Sequence, residues 1–185
     1  MTTALLIIDV QKAIIEGAGK DGRQAVLDKA LDDVAARLGR LQEKARATGV
    51  PVIVVQHDDK FDHRLAKGSP GWELRDEIAA KPGDVLVSKT ACDSFFETDL
   101  EQQLKERGID HLVIGGCMTQ YCVDTTARRA VTLGYDVTLV ADGHTTADSG
   151  ALTYDQIIAH HNRLLDGFDA GTKAIAVKKA EEVGF

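Results

Sequence analysis

The sequence predicts a three-layer α/β/α sandwich built on a six-stranded, mostly parallel sheet. Short apolar runs alternate with longer stretches whose apolar residues recur every three or four positions, as strands joined by crossover helices do. The runs are apolar at consecutive residues, as in strands covered on both faces. With 185 residues, 44% of them hydrophobic, the chain suits a single domain over residues 1–185 with one sizeable core.

The elements follow in order. Ala4-Leu5-Leu6-Ile7-Ile8 is a strand that ends in Asp9. Leu27, Leu31, Val34, Leu38, Leu41 and Ala45 form the apolar stripe of a long helix, closed by Gly49 before Pro51. Pro51 to Val55 is the second strand. A loop-rich stretch, His57 to Gly83, carries a short helix near Glu73 to Ala80. Asp84 to Ser88 is the third strand. Thr98 or Asp99 caps a helix to Arg107, stopped by Gly108. His111 to Ile114 is the fourth strand, with Gly115-Gly116 leading out of it. Thr119 to Leu133 is a helix, Asp136 to Ala141 the fifth strand, Gly150 to Leu165 a helix, and Ala174 to Val177 a short sixth strand. The expected strand order is 3-2-1-4-5-6, a Rossmann-like arrangement. Ligands then sit beyond the carboxyl ends of the strands.

Composition narrows the function classes. Twenty-nine acidic against 22 basic residues give a net charge of −7. That disfavours nucleic acid or an anionic membrane as partner. Cys92, Cys117 and Cys122 are odd in number and irregularly spaced, a poor disulfide framework, and are read as reduced thiols of a cytoplasmic protein. The N-terminal apolar run is too short for a signal peptide or a membrane span.

Three reactive residues follow strands. Asp9 ends strand one, Lys89 lies just past strand three, and Cys122 sits in the first turn of the helix after strand four. A helix N-terminus and a nearby ammonium lower a thiol's pKa, which predicts a thiolate nucleophile. An aspartate beside both can take the thiol proton and return it to a leaving group. Free N–H groups around Met118 to Cys122 can hold an oxyanion. Taken singly, each residue has an ordinary reading: a small core thiol, a loop anchor, a solvated lysine. Their shared rim is what points to chemistry. One tension follows: Lys89 lies two strands from Asp9, roughly 10 Å at the usual strand spacing. Its stem, or the loop from Lys89 to Thr98, must lean back over the sheet.

At these residues the chain resembles the isochorismatase-like hydrolase superfamily. LLIIDVQKA is similar to that family's first strand, with Asp9 and Gln11. VLVSKTACDSFFETDLEQQL resembles its lysine segment, and LVIGGCMTQYCVDTTARRAVTLGYDVTLVADG its nucleophile segment. The resemblance runs from about residue 4 to 178 and is most specific in the third segment. It implies a Cys122–Asp9–Lys89 triad acting on an amide carbonyl and oxyanion donors at Met118 and Cys122. It also implies a cis peptide at Cys117–Met118 and a homodimer or larger homo-oligomer. Nicotinamidases in the superfamily carry an Asp-x-His pair and a later His as metal ligands. Here the stretch reads Gln56-His57-Asp58-Asp59, with His63 further on, so that pattern is broken and no metal or other cofactor is expected, although His57, Asp59 and His63 are themselves competent ligand types and leave a swapped metal set as an alternative. GSPGWELRDEI resembles the group that includes streptothricin-hydrolase-like members.

Other features are weaker. Gly17-Ala18-Gly19-Lys20-Asp21-Gly22 matches G-x-G-x-x-G, but starts eight residues after Asp9 and lacks the later acidic strand end, so a flexible loop is expected. Gln11, His57, Trp72, Phe95, Phe96 and Tyr121 are the expected substrate-binding residues. His160 and His161 diverge on a helix and cannot share a site. His144 reads as a spectator and Cys117 as an inert thiol, while the reactivity of Cys92 stays open. The expectation is a metal-independent hydrolase that cleaves a C–N bond of a small amide, lactam or ureido substrate through a thioester on Cys122. The alternatives are a non-catalytic small-molecule-binding protein or a thiol redox protein on the same fold.

Overall fold

A computed structural model describes residues 1–185. The strands are β1 (Thr3–Ile8), β2 (Val52–His57), β3 (Val85–Lys89), β4 (His111–Cys117), β5 (Asp136–Thr145), β6 (Asp169–Ala170) and β7 (Lys173–Lys178). They form one sheet in the order β3-β2-β1-β4-β5-β7-β6. Every pairing is parallel except β6 with β7. The sheet thus has seven strands rather than six. The expected sixth strand is β7, and the two-residue β6 is too short to register as an apolar run.

The helices are α1 (Gln24–Ala47), α2 (Leu100–Glu106), α3 (Asp124–Thr132) and α4 (Tyr154–Leu165). Side chains of β1 alternate between the layers. Leu5 and Ile7 pack with Leu27, Leu31, Val34 and Leu38 of α1. Ala4, Leu6 and Ile8 pack on the other face with Leu100 and Leu104 of α2, Ala127 and Ala130 of α3, and Leu165 of α4. Both faces of the central strands are therefore dry, which is why their sequence shows runs and no alternation. No helix is long and apolar enough to cross a membrane.

Several expected boundaries are corrected. The helix near Glu73 to Ala80 is only a 3-10 turn, Asp76–Ile78, because Ile78 alone is buried there and no apolar stripe exists to hold a longer one. The helix from Thr119 is a π-helical turn, Thr119–Val123, followed by α3. α4 starts at Tyr154, after a capping box formed by Thr153 and Gln156. β4 runs through Gly115 and Gly116 to Cys117. Gly116 pairs with Ile8 at φ 131°, and a Cβ there would meet the Ile8 carbonyl oxygen at 2.0 Å. Glycine is what lets β4 run so close to β1, so the glycines extend the strand instead of leaving it.

Candidate active site

β1 delivers Asp9 to the rim with its backbone at φ 52°, in the left-handed region that a non-glycine residue seldom occupies. The Asp9 N–H donates to the Val55 carbonyl of β2 at 2.9 Å, and its side chain is fully buried. Lys89 ends β3, opposite His57 of β2, and is 2% exposed. Its stem leans back across β2, which resolves the distance expected from strand order. Nζ lies 2.6 Å from Asp9 Oδ2 and 3.3 Å from Cys122 Sγ, and donates to Ala91 O at 2.9 Å. The contact with Asp9 has ion-pair distance but not hydrogen-bond direction, so neither carboxylate oxygen has a well-aligned donor. The carboxylate is left able to accept a proton.

Burial raises the pKa of Asp9, with Lys89 opposing. Burial acts to lower that of Lys89, but Asp9 and Cys122 outweigh it and the net direction is up. Burial and then the charge of Asp9 push the Cys122 thiol up, and Lys89 only partly offsets them. The lowering expected from a helix N-terminus and Lys89 is therefore not the net direction: the dry site and the adjacent carboxylate favour the protonated sulfur.

The Cys117–Met118 peptide is cis. Met118 O accepts the N–H groups of Tyr121 and Val123 at 3.0 and 3.3 Å, while the Met118 N–H donates to no group of the chain. Behind the turn, Asn162 Nδ2 donates to Ala141 O at 2.9 Å, which leaves Asn162 Oδ1 to accept from His144 Nε2 at 2.9 Å. His144 Nδ1 is then the acceptor for the Thr119 hydroxyl at 2.9 Å. His144, read as a spectator from its position, anchors the first residue of the turn that carries Cys122. Burial drives its pKa down to about 4, so it holds this role as a neutral ring.

Cys122, Met118 and Asp9 open onto a cavity of about 190 Å³, also walled by Ile14, His57, Asp59, Arg64, Leu65, Cys92 and Tyr121. Of the six expected substrate-binding residues, His57 and Tyr121 reach this wall. Gln11 does not: it is buried, donates to the carbonyls of His57 and Trp72, and accepts the His57 N–H at 3.0 Å, fastening three segments together. Trp72 is drawn aside by its indole N–H, which donates to Asp58 at 2.6 Å. Phe95 packs in the core, stacked on Tyr135 with ring centroids 6.0 Å apart. Phe96 is 52% exposed and lies off the cavity. The glycine-rich loop at 17–22 borders a different cavity, with Arg23, Asp148 and Gly150 to Thr153.

Asp59 Oδ2 faces His63 Nδ1 at 3.0 Å and His57 Nε2 at 3.7 Å, yet these three form no group able to hold a metal ion. Burial first, then Lys89, lowers the pKa of His57. Arg64, Leu65 and Ile14 were not anticipated. They sit in irregular segments where no periodicity marks an inward face.

The isochorismatase domain family matches residues 3–178. The chain belongs to that family. It is 37% identical over 145 residues to a streptothricin hydrolase of Streptomyces noursei, covering 78% of this chain and 50% of the relative. The chain thus spans about half the length of that relative. It is 30% identical over 169 residues to the ureidoacrylate amidohydrolase RutB of Stutzerimonas stutzeri, covering 76% of this chain and 68% of RutB. The crystal structure of N-carbamoylsarcosine amidase from Thermoplasma acidophilum is 25% identical, with a TM-score of 0.77 and 99% of both chains covered.

Proposed function

We propose that the protein is a cysteine hydrolase that cleaves a C–N bond of a small amide, lactam or ureido compound through a thioester on Cys122, without a metal. The observation that carries this is the position of Lys89 Nζ, within 2.6 Å of Asp9 and 3.3 Å of Cys122 at one buried rim. Relatives named as ureidoacrylate amidohydrolase and N-carbamoylsarcosine amidase support the substrate class. Three free cysteines fit a reducing, cytoplasmic setting.

The proton logic follows from the site. Sulfur attacks the carbonyl carbon as its proton passes to Asp9, so the thiolate exists only while the new bond forms. The oxyanion meets the N–H groups of Met118 and Cys122. Asp9 returns the proton to the leaving nitrogen and the C–N bond breaks, leaving an acyl thioester. Water then attacks, Asp9 takes its proton, and the acid departs as the proton goes back to sulfur. Lys89 stays charged and steadies whichever partner is anionic.

Wild-type protein should release ammonia or an amine from members of an amide and ureide panel. Cys122→Ala should lose at least about 10³-fold in rate. Intact-mass spectrometry of quenched reactions should show an acyl adduct on Cys122. Equal rates for wild type and Cys122→Ala on every active compound would end the nucleophile reading. One observation favours a second reading, thiol redox chemistry: Cys92 lines the same cavity as Cys122. A hydroperoxide would oxidise Cys122 to the sulfenic acid, and the Cys92 thiol would condense with it, releasing water. That route needs neither Asp9 nor Lys89, so their variants separate the two.

A further inference from the structure

Arg64 stands on the wall of the Cys122 cavity, and the chemistry above leaves it without a role. Its Nε donates to Ala13 O at 2.7 Å and Nη2 to Ile14 O at 3.1 Å. These bonds fix the guanidinium against the segment that follows β1. They use two of its five N–H donors, and Nη1 has no hydrogen-bond partner.

Most arginines of this chain have a carboxylate beside them. Arg23 pairs with Asp148, Arg37 with Asp142, Arg46 with Asp84 and Arg75 with Asp32. Arg64 has none, although two acids share its cavity. Asp9 is taken by Lys89. Asp59 Oδ1 accepts the Lys60 N–H at 2.7 Å and Oδ2 faces His63 at 3.0 Å. The cavity wall therefore carries a fixed cation with an open edge and no internal counter-ion. A planar guanidinium held in this way matches a carboxylate, which it can grip with two parallel hydrogen bonds.

We infer that Arg64 is a specificity-determining residue and that the substrate is a small amide or ureide bearing a carboxylate apart from its scissile carbonyl. The inference rests on the hydrolase reading for its reaction, but recognition of the anion can be tested without turnover. Because one cavity of about 190 Å³ contains both Arg64 and Cys122, the two ends of such a compound need be only a few carbons apart.

Two matched comparisons decide it. In the first, Cys122 is alkylated by iodoacetate and by its neutral isostere iodoacetamide, and modification is read by peptide mass so that Cys92 is scored separately. In the second, ammonia release is followed from succinamate and glutaramate against butanamide and pentanamide. The readout in each is the anionic-to-neutral ratio, which a general loss of folded protein does not move. The ratio should fall about tenfold or more in Arg64→Gln, as expected for loss of a charged hydrogen bond. In Arg64→Lys, which keeps the charge but not the fork, it should fall less. If both rates fall together in Arg64→Gln and the ratio stays as in wild type, Arg64 is only a brace for Ala13 and Ile14 and the inference is overturned. If no amide is hydrolysed but the iodoacetate ratio depends on Arg64, the hydrolase reading fails while anion recognition stands.

Discussion

A buried ion pair has a testable asymmetry at the residue scale. Asp9 and Lys89 are both out of water and 2.6 Å apart, so each offsets the desolvation of the other. Lys89→Met removes one charge and leaves the other buried without a partner. That should cost about 3–5 kcal/mol of stability. Adding Asp9→Asn removes the orphan charge, so the double variant should recover much of the loss while remaining inactive. Urea denaturation at pH 7 measures both. A single variant as stable as wild type, or a double variant no better than Lys89→Met, would show that the pair is not the electrostatic unit described. Burial and the Asp9 charge favour the protonated sulfur, and the Lys89 charge opposes them. That Asp9, Lys89 and Cys122 meet at one rim was legible because each follows a strand, but the sign of the thiol's shift was not. That depends on the net effect of burial, Asp9 and Lys89 at distances no sequence displays.

At the scale of elements, Cys122 is held by a short turn rather than a regular helix. Thr119 heads that turn, and its hydroxyl is tied through His144 and Asn162 to the carbonyl of Ala141 in β5. Asn162→Leu removes the acceptor for His144 Nε2 and strands a buried donor, at a cost of about 1–3 kcal/mol. The ring then has no fixed orientation and Thr119 loses its restraint. Because small misplacements of a reacting atom are expensive, kcat should drop by about ten- to a hundredfold. Steady-state kinetics on an active amide should place the loss in kcat, with KM little changed. An unchanged kcat, or a loss confined to KM, would remove His144 and Asn162 from the positioning of Cys122. Sequence read His144 as a spectator because it could not give it a partner. Asn162 lies 18 residues on, in another element, and only the packing of α4 against β5 brings them together. Trp72, Phe95 and Phe96, unlike Tyr121, miss the cavity for a related reason. Phe95 lies within the lysine segment, yet it stacks on Tyr135 in the core.

At the scale of the molecule, the parallel pairing of β2, β1, β4 and β5 was readable because runs buried on both faces require crossover helices. The loop from 58 to 75, which supplies Asp59, Arg64 and Leu65 to the cavity, was not, since irregular backbone has no period to read. The buried network also couples the site to global stability through pH. His144 has a pKa of about 4 in the folded chain, against about 6.5 for an unfolded histidine. Burial is the main cause. Asn162 works in the opposite direction, His161 adds to the depression, and Asp142 opposes it. The unfolded chain therefore binds the proton first as pH falls. His144 costs the fold nothing above about pH 6.5, and its penalty grows between about 6.5 and 4 and is complete below. Two and a half units correspond to about 3 kcal/mol. Asp9 acts with the opposite sign, because its raised pKa means the folded state takes up its proton before the unfolded one does. Total stability against pH mixes the two, so the comparison that isolates the histidine is wild type against His144→Gln. Glutamine can still bridge Thr119 and Asn162 but does not titrate. Urea midpoints taken from pH 7 to pH 4.5 should decline more steeply in wild type. Parallel declines would mean that His144 is protonated in the folded chain as readily as in the unfolded one, and that the neutral anchor behind the nucleophile turn does not exist.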